Sequence, residues 1–166
     1  VSSGNEDDSF DWTEGWNGNN EFWYAKLRTD IGNRGVEADN NSNNHLAAPI
    51  SNPTISNLTL VGRGDGSEPD AFKLRVGTLG NINNVVIKDF PVGFNVEHDE
   101  SLAGITNGTL KVTNVKFENV ATKSKGKKTD GTSADASGVF TESETATGAG
   151  NGSNVPTWAQ GWTVGL

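Results

Sequence analysis

Charged and apolar residues alternate in five short stretches of the chain: "SFDWTE" at 9–14, "GVEADN" at 35–40, "AFKLRV" at 71–76, "GFNVEH" at 93–98 and "GVFTES" at 138–143. With a period of two, Asp11, Glu37, Lys73, Asn95 and Phe140 fall on one outward column, and Thr13, Asp39, Arg75, Glu97 and Glu142 on the next. If the stretches lie side by side as strands, neighbouring members of a column stand about 4.8 Å apart. Carboxylates at that spacing beside a Lys or Arg suit two chemistries. In a lyase, Asp11, Glu37 and Asp39 would offer oxygens to Ca²⁺, with Lys73 or Arg75 as proton-abstracting base or oxyanion partner. In a glycoside hydrolase, two carboxyls would lie roughly 5 Å apart for retention or about 6.5–9.5 Å for inversion. Asp11 and Glu37 suit the first distance and other pairs in these columns, Glu97 included, the second. A simpler role is also open. Glu37 facing Lys73, and Asp39, Arg75 and Glu97 in sequence, are opposite charges that steady a sheet without any substrate.

Other residues could bind. Trp16, Trp23 and Tyr24 gather in "EGWNGNNEFWY", where outward rings would stack on sugars and Trp12 belongs to the core. The loops "NEDD" (5–8) and "GDGSEPD" (64–70) concentrate oxygens, with Asp7, Asp8, Asp65 and Asp70 as Ca²⁺ candidates, although the fixed ligand spacing of a calcium loop is missing. His98 in "EHDE" sits among acids, but no second His has ligand spacing. "RGD" at 63–65 reads as a turn in a Gly-rich loop.

Composition narrows the field. The chain has 166 residues, 21 Gly, 8% aromatics, no Cys and a formal charge of −8. That length holds one sizeable core. The charge disfavours nucleic acid and anionic membrane as partners. Thiolate and disulfide chemistry are excluded. No apolar run reaches the roughly 20 residues of a membrane helix.

The elements that must position these residues show in a second recurring phrase. "TISNLTLVG" (54–62), "NINNVVIKDF" (81–90) and "KVTNVKFENV" (111–120) share apolar-x-Asn-apolar-x-apolar, with Asn57, Asn84 and Asn114 in register. Alternation breaks at each Asn, as at a tight corner between strands, where Asn tolerates left-handed angles. Two phrases returning in a fixed order at uneven intervals predict an all-β parallel β-helix of about four to five coils, with insertions hung outside as loops.

The phrase resembles the right-handed, pectate-lyase-like parallel β-helix superfamily, in which stacked Asn residues form an internal ladder; the ladder here would be Asn57, Asn84 and Asn114. The chain is also similar to the C-terminal part of secreted bacterial β-helix proteins that combine an "EDDSFDWTEGW"-like stretch with a closing W-x-x-GW. The resemblance implies an extracellular or bacterial cell-surface setting. Enzymes of the superfamily cleave acidic polysaccharides on the face of the charged columns. Their strings "GHG", "RIK" and Arg-x-Pro-x-x-Arg do not occur here.

Residues 1–142 are expected to form the coils and 143–166 a polar crossing segment and C-terminal cap, with Trp158 and Trp162 folded over the last coil. The Lys-rich stretch 121–137 reads as a solvated, mobile loop. Upstream coils, or a stacked copy, would cover the N-terminal end. The leading functional expectation is a non-catalytic binding or display module for polysaccharide or another surface protein. A lyase or hydrolase acting on acidic polysaccharide is the first alternative, and a stalk or filament subunit the second.

Overall fold

In a computed structural model, which describes residues 1–65, 70–164 and 166, the strands fall into two stacks that the chain visits alternately. The first sheet runs β1 (Ser2–Ser3), β3 (Asn19–Lys26), β5 (Thr54–Val61), β7 (Gly80–Lys88), β9 (Leu110–Glu118) and β12 (Phe140–Glu142), all parallel. The second runs β2 (Phe10–Trp12), β4 (Val36–Asp39), β6 (Asp70–Arg75), β8 (Val92–Glu97) and β10 (Thr122–Lys127), also parallel. A short β11 (Ser133–Ala134) pairs antiparallel with β10. One helix, α1 (Asp99–Thr106), follows β8.

The core lies between the sheets and is built by columns. In the second sheet Phe10, Val36, Phe72 and Phe94 stand in register, as do Trp12, Ala38, Leu74 and Val96. In the first sheet Trp23, Leu58, Val85 and Val115 do the same, beside Ile55, Ile82 and Val112. The aliphatic members are buried, so each rung removes apolar surface from water only because the next rung covers it.

Each long strand of the first sheet bends at one residue. Phe22, Asn57, Asn84 and Asn114 occupy the same register position with φ of 57°, 62°, 58° and 57°. A left-handed angle costs an ordinary L-residue about 1–2 kcal/mol, and less for Asn, whose amide bonds locally. The ladder is not internal, as the resemblance implied. Asn57 and Asn84 are half-buried and Asn114 is exposed, because the residues next to the bend already fill the interior. Asn84 Nδ2 donates to Asn57 Oδ1 at 2.7 Å, but Asn114 Nδ2 donates to Asn83 Oδ1 rather than to Asn84.

Three further expectations are corrected. The fifth copy of the first phrase is not a fifth rung of the second sheet: Val139 lies in a 3-10 turn and Phe140–Glu142 pairs with β9 in the first sheet. That fifth rung is β10, inside the stretch expected to be a mobile loop. Ser124 and Gly126 take the inward positions opposite Phe94 and Val96, and Gly93 lets β10 approach, since a Cβ there would lie 2.6 Å from Lys123 O.

The Trp residues near the C-terminus do not cover the last rung. Buried Ala136 and Val139 do so, with the Phe140 ring stacked on Phe94 at 5.5 Å. Residues 143–159 instead run back across the outside of the first sheet. Thr59 Oγ1 accepts from Ala149 N at 2.9 Å and donates to Gly152 O at 2.8 Å, and Trp158 meets Phe22, ring centroids 6.4 Å apart.

Candidate functional site

The outward face of the second sheet carries the charged columns in the register the alternation requires. Asp11 faces Glu37, Glu37 faces Lys73, Lys73 faces Asn95, and Asp39 faces Arg75. At the far edge Lys125 and Lys127 of β10, not Phe140 and Glu142, face Asn95 and Glu97.

These groups are joined rather than free. Glu37 takes ion pairs from both Arg34 and Arg75, and Arg75 Nε also donates to Asp39 Oδ1 at 2.7 Å. Lys73 pairs with Glu97, whose Oε1 also lies 3.2 Å from Lys127 Nζ. Asn95 Nδ2 donates to Asp70 Oδ2 at 2.8 Å, and Lys125 Nζ stands 3.0 Å from Asp70 Oδ1. Both basic residues proposed to abstract a proton are therefore committed to carboxylates.

Ionisation differs along the network. Burial alone would raise Glu97, but the hydrogen bonds and charges of Lys73 and Lys127 outweigh it and hold the carboxyl at about 2. At the opposite end burial, reinforced by the Asp11 carboxylate, pushes Asp39 up to about 6 despite its bond to Arg75. Burial and then Asp8 raise Asp11 as well. Among the described residues Asp11 makes no ion pair. The protonatable end of the face is thus Asp11 with Asp39; the Glu97 end is fixed as an ion.

The aromatic candidates separate. Trp23 points into the core column, stacks on Phe10 at 4.3 Å and lies 6.2 Å from Trp16; Trp16 in turn lies 5.4 Å from Trp12. These rings close the core at its first rung and leave Trp16 and Trp23 half-buried. Tyr24 is only 1% exposed. It shares an outward column with Thr59 and Val86, which are also buried, where residues 143–159 cross. It offers no ring for stacking. The exposed rings are Phe22, at 47%, Trp158, at 37%, and Trp162, at 65%. Alternation could not flag Phe22, because the bend removes it from the strand period.

The acidic-loop candidates do not converge. Asp7 Oδ1 accepts from Asn33 Nδ2 at 2.7 Å, and Asp8 accepts from Arg34 N at 2.8 Å. Asp65 lies 3.3 Å from Arg63, and Asp70 is held by Asn95 and Lys125. Among the described residues no three His, Asp or Glu side chains gather as a metal cage. Residues 66–69 of the second loop lie outside the described residues.

His98 does gain a second His, one that spacing could not reveal. Asn40 folds the loop after β4 by donating to His45 O and Ala47 O, both at 3.0 Å. That loop sets His45 4.8 Å from the His98 ring, with its Nδ1 2.7 Å from Glu100 Oε2. His98 Nδ1 accepts the Val76 N–H at 3.1 Å, which fixes its neutral form. A cavity of about 430 Å³ lies elsewhere, lined by Phe90, Phe117, Lys123, Glu142 and Glu144, among others.

A family model for the pectate-lyase-like beta helix domain matches residues 1–163. No curated protein and no solved structure matches the chain.

Proposed function

The chain belongs to the pectate-lyase-like β-helix family, and from that premise we propose that it is a secreted or cell-surface module that binds or displays glycan without cleaving it. The strands would wind as a right-handed solenoid of four to five coils, a rigid rod suited to presenting a surface. The observation that carries the reading is the fate of Lys73 and Arg75. Each is tied to a carboxylate, so neither is available as the unprotonated base that a lyase needs. Any Ca²⁺ would have to be recruited with a substrate's own carboxylate, since among the described residues no three acidic side chains gather and, of the face's carboxylates, only Asp11 is without a cation.

The test is direct. The protein is incubated with polygalacturonate and Ca²⁺, and with neutral glycans, while unsaturated uronate and new reducing ends are followed; glycan retention is measured by affinity electrophoresis. Retention without product is expected. Product that depends on Lys73 or Arg75 would overturn the reading.

One observation favours a hydrolase as second reading. Asp39, held protonated to about pH 6, stands diagonally across one rung from the unpaired Asp11, an acid beside a carboxylate. New reducing ends that vanish in both Asp11→Asn and Asp39→Asn would establish it.

A further inference from the structure

Phe22, Asn57, Asn84 and Asn114 form one column along the outer bend of the first sheet. We infer that this column is the floor of a groove for a neutral, hydroxyl-rich glycan chain, with the Phe22 ring as its stacking platform. The inference rests on the binding reading above and gives it a place and a substrate class.

The amides are held in position for it. Asn83 Oδ1 accepts from Asn114 Nδ2 at 2.7 Å and from Thr113 Oγ1 at 2.9 Å. Asn57 Oδ1 accepts from Asn84 Nδ2 at 2.7 Å, and Asn84 Oδ1 accepts from Thr147 N at 2.8 Å. Asn57, Asn83 and Asn114 are thereby fixed at one half of the amide while the other half stays open, whereas Asn84 is held at both halves, by Asn57 and by Thr147 and Gly148 of the crossing segment. Asn57 Nδ2, Asn83 Nδ2 and Asn114 Oδ1 have no hydrogen-bond partner among the described residues. Two donors and an acceptor, oriented in advance, match the paired donor and acceptor character of sugar hydroxyls.

The surroundings select against charge. A cavity of about 370 Å³ lies over the Asn part of the column, lined by these Asn residues and by Ser143, Thr145 and Thr147 of the crossing segment, with no ionisable side chain among the described residues that line it; Phe22 stands one rung beyond it. In a protein of net charge −8, a polyuronate would meet repulsion with no compensating cation. An uncharged glycan meets neither.

The platform is the least expected feature. Three rungs place Asn at the left-handed bend, and the fourth places Phe22, an aromatic at φ 57°. Strain of this kind in a bulky residue marks positions held for a purpose. The ring stays 47% exposed, and Trp158 meets it edge-on at 6.4 Å. Trp158 is itself anchored, its Nε1 donating to Ala149 O at 2.6 Å. At about 4.8 Å per rung, platform to last Asn spans about 14 Å, the length of a short oligosaccharide.

Calorimetric titration with neutral β-linked gluco- and xylo-oligosaccharides, and with oligogalacturonate alongside, tests the inference on the intact chain and two variants. Phe22→Gly removes the platform and accepts the backbone angle freely, so it should melt at or above the parent temperature. Asn57→Asp keeps the acceptor used by Asn84 and loses the open donor. Each is expected to weaken neutral-glycan binding by about tenfold, and oligogalacturonate should bind at least about tenfold more weakly than the neutral chains. Unchanged affinity in both folded variants would overturn the groove while leaving glycan binding to another face. Oligogalacturonate binding as tightly as the neutral chains would also overturn it. Retention of no glycan at all would overturn both this inference and the proposed function.

Discussion

Two residues at the edge of the charged face titrate in opposite directions. Burial, aided by Asp11, raises Asp39 from 3.8 to about 6, against Arg34, Lys73 and His45 nearby. The folded state therefore binds the proton more tightly than the unfolded chain. Its stabilising contribution is full below about pH 3.8 and is lost as pH rises through about 6. His98 has the other sign. Burial, followed by the charge of His45, lowers it from 6.5, while Glu97 and Glu100 oppose. Its contribution is full above 6.5 and falls away as pH drops below that value, when protonation at Nδ1 would cost the Val76 N–H its acceptor. Val76 sits at φ 42°, and its N–H makes that bond. Below about pH 6 the two slopes oppose each other down toward pH 3.8. Urea unfolding of Asp39→Asn should give stability that rises with pH across this window, and His98→Gln stability that falls. At pH 8 Asp39→Asn should be more stable than the parent by on the order of 1–3 kcal/mol, the upper figure being two pKa units. Parallel slopes in the two variants would refute the assignment.

At the scale of the element, β10 shows how a strand can be written without apolar residues. Thr122, Ser124 and Gly126 face inward at the last rung of their sheet, while Lys123, Lys125 and Lys127 reach back to Glu142, Asp70 and Glu97. Asp70 is 3% exposed, so its charge needs this cation. Lys125→Met, which keeps the packing of the stem, should cost about 1–2 kcal/mol, less than a fully buried pair because the Lys itself is half in water. Asp70→Asn in that background should recover most of the loss, a coupling that a double-mutant cycle reads directly. The columns Phe10–Val36–Phe72–Phe94 and the Asn57–Asn84–Asn114 bends were legible in the sequence, because repeated apolar spacing is the core seen edge-on. Strand β10 was not, since its sequence has the composition of a solvated loop. "GVFTES" misled for the converse reason: the phrase is right, but the chain reaches the other sheet at that point. Asp11, Glu37, Asp39, Lys73, Arg75 and Glu97 fall on one face of the second sheet, as the period of two requires. Their pairing with Arg34 and Lys127 depends on loop and edge geometry that no period encodes.

For the whole molecule, the segment after β12 matters as much as the rungs. A sheet face that meets water is polar, yet Tyr24, Thr59 and Val86 are buried in one outward column of the first sheet. They are buried because residues 143–159 lie over that face, fastened at Thr59 and at Asn84. The fit is close. Gly148, at φ 56°, leaves no space for a Cβ, which would meet Thr59 Oγ1 at 2.1 Å. Thr59→Val keeps the volume and deletes the hydroxyl, so Ala149 N and Gly152 O both lose their partner. The expected cost is about 1–3 kcal/mol. Where that cost falls is the discriminating measurement. If the segment is a strap laid on a stack that stands by its own ladders, hydrogen exchange should lose protection at Ala149 while Leu58, Val85 and Val115 keep theirs. If the strap and the stack fold as one unit, all four amides should become less protected together. The hydrogen bonds favour the first outcome, since beyond Ser143, whose N donates to Val115 O, the strap meets the sheet through the side chains of Thr59 and Asn84, whereas the rungs are joined by continuous backbone pairing.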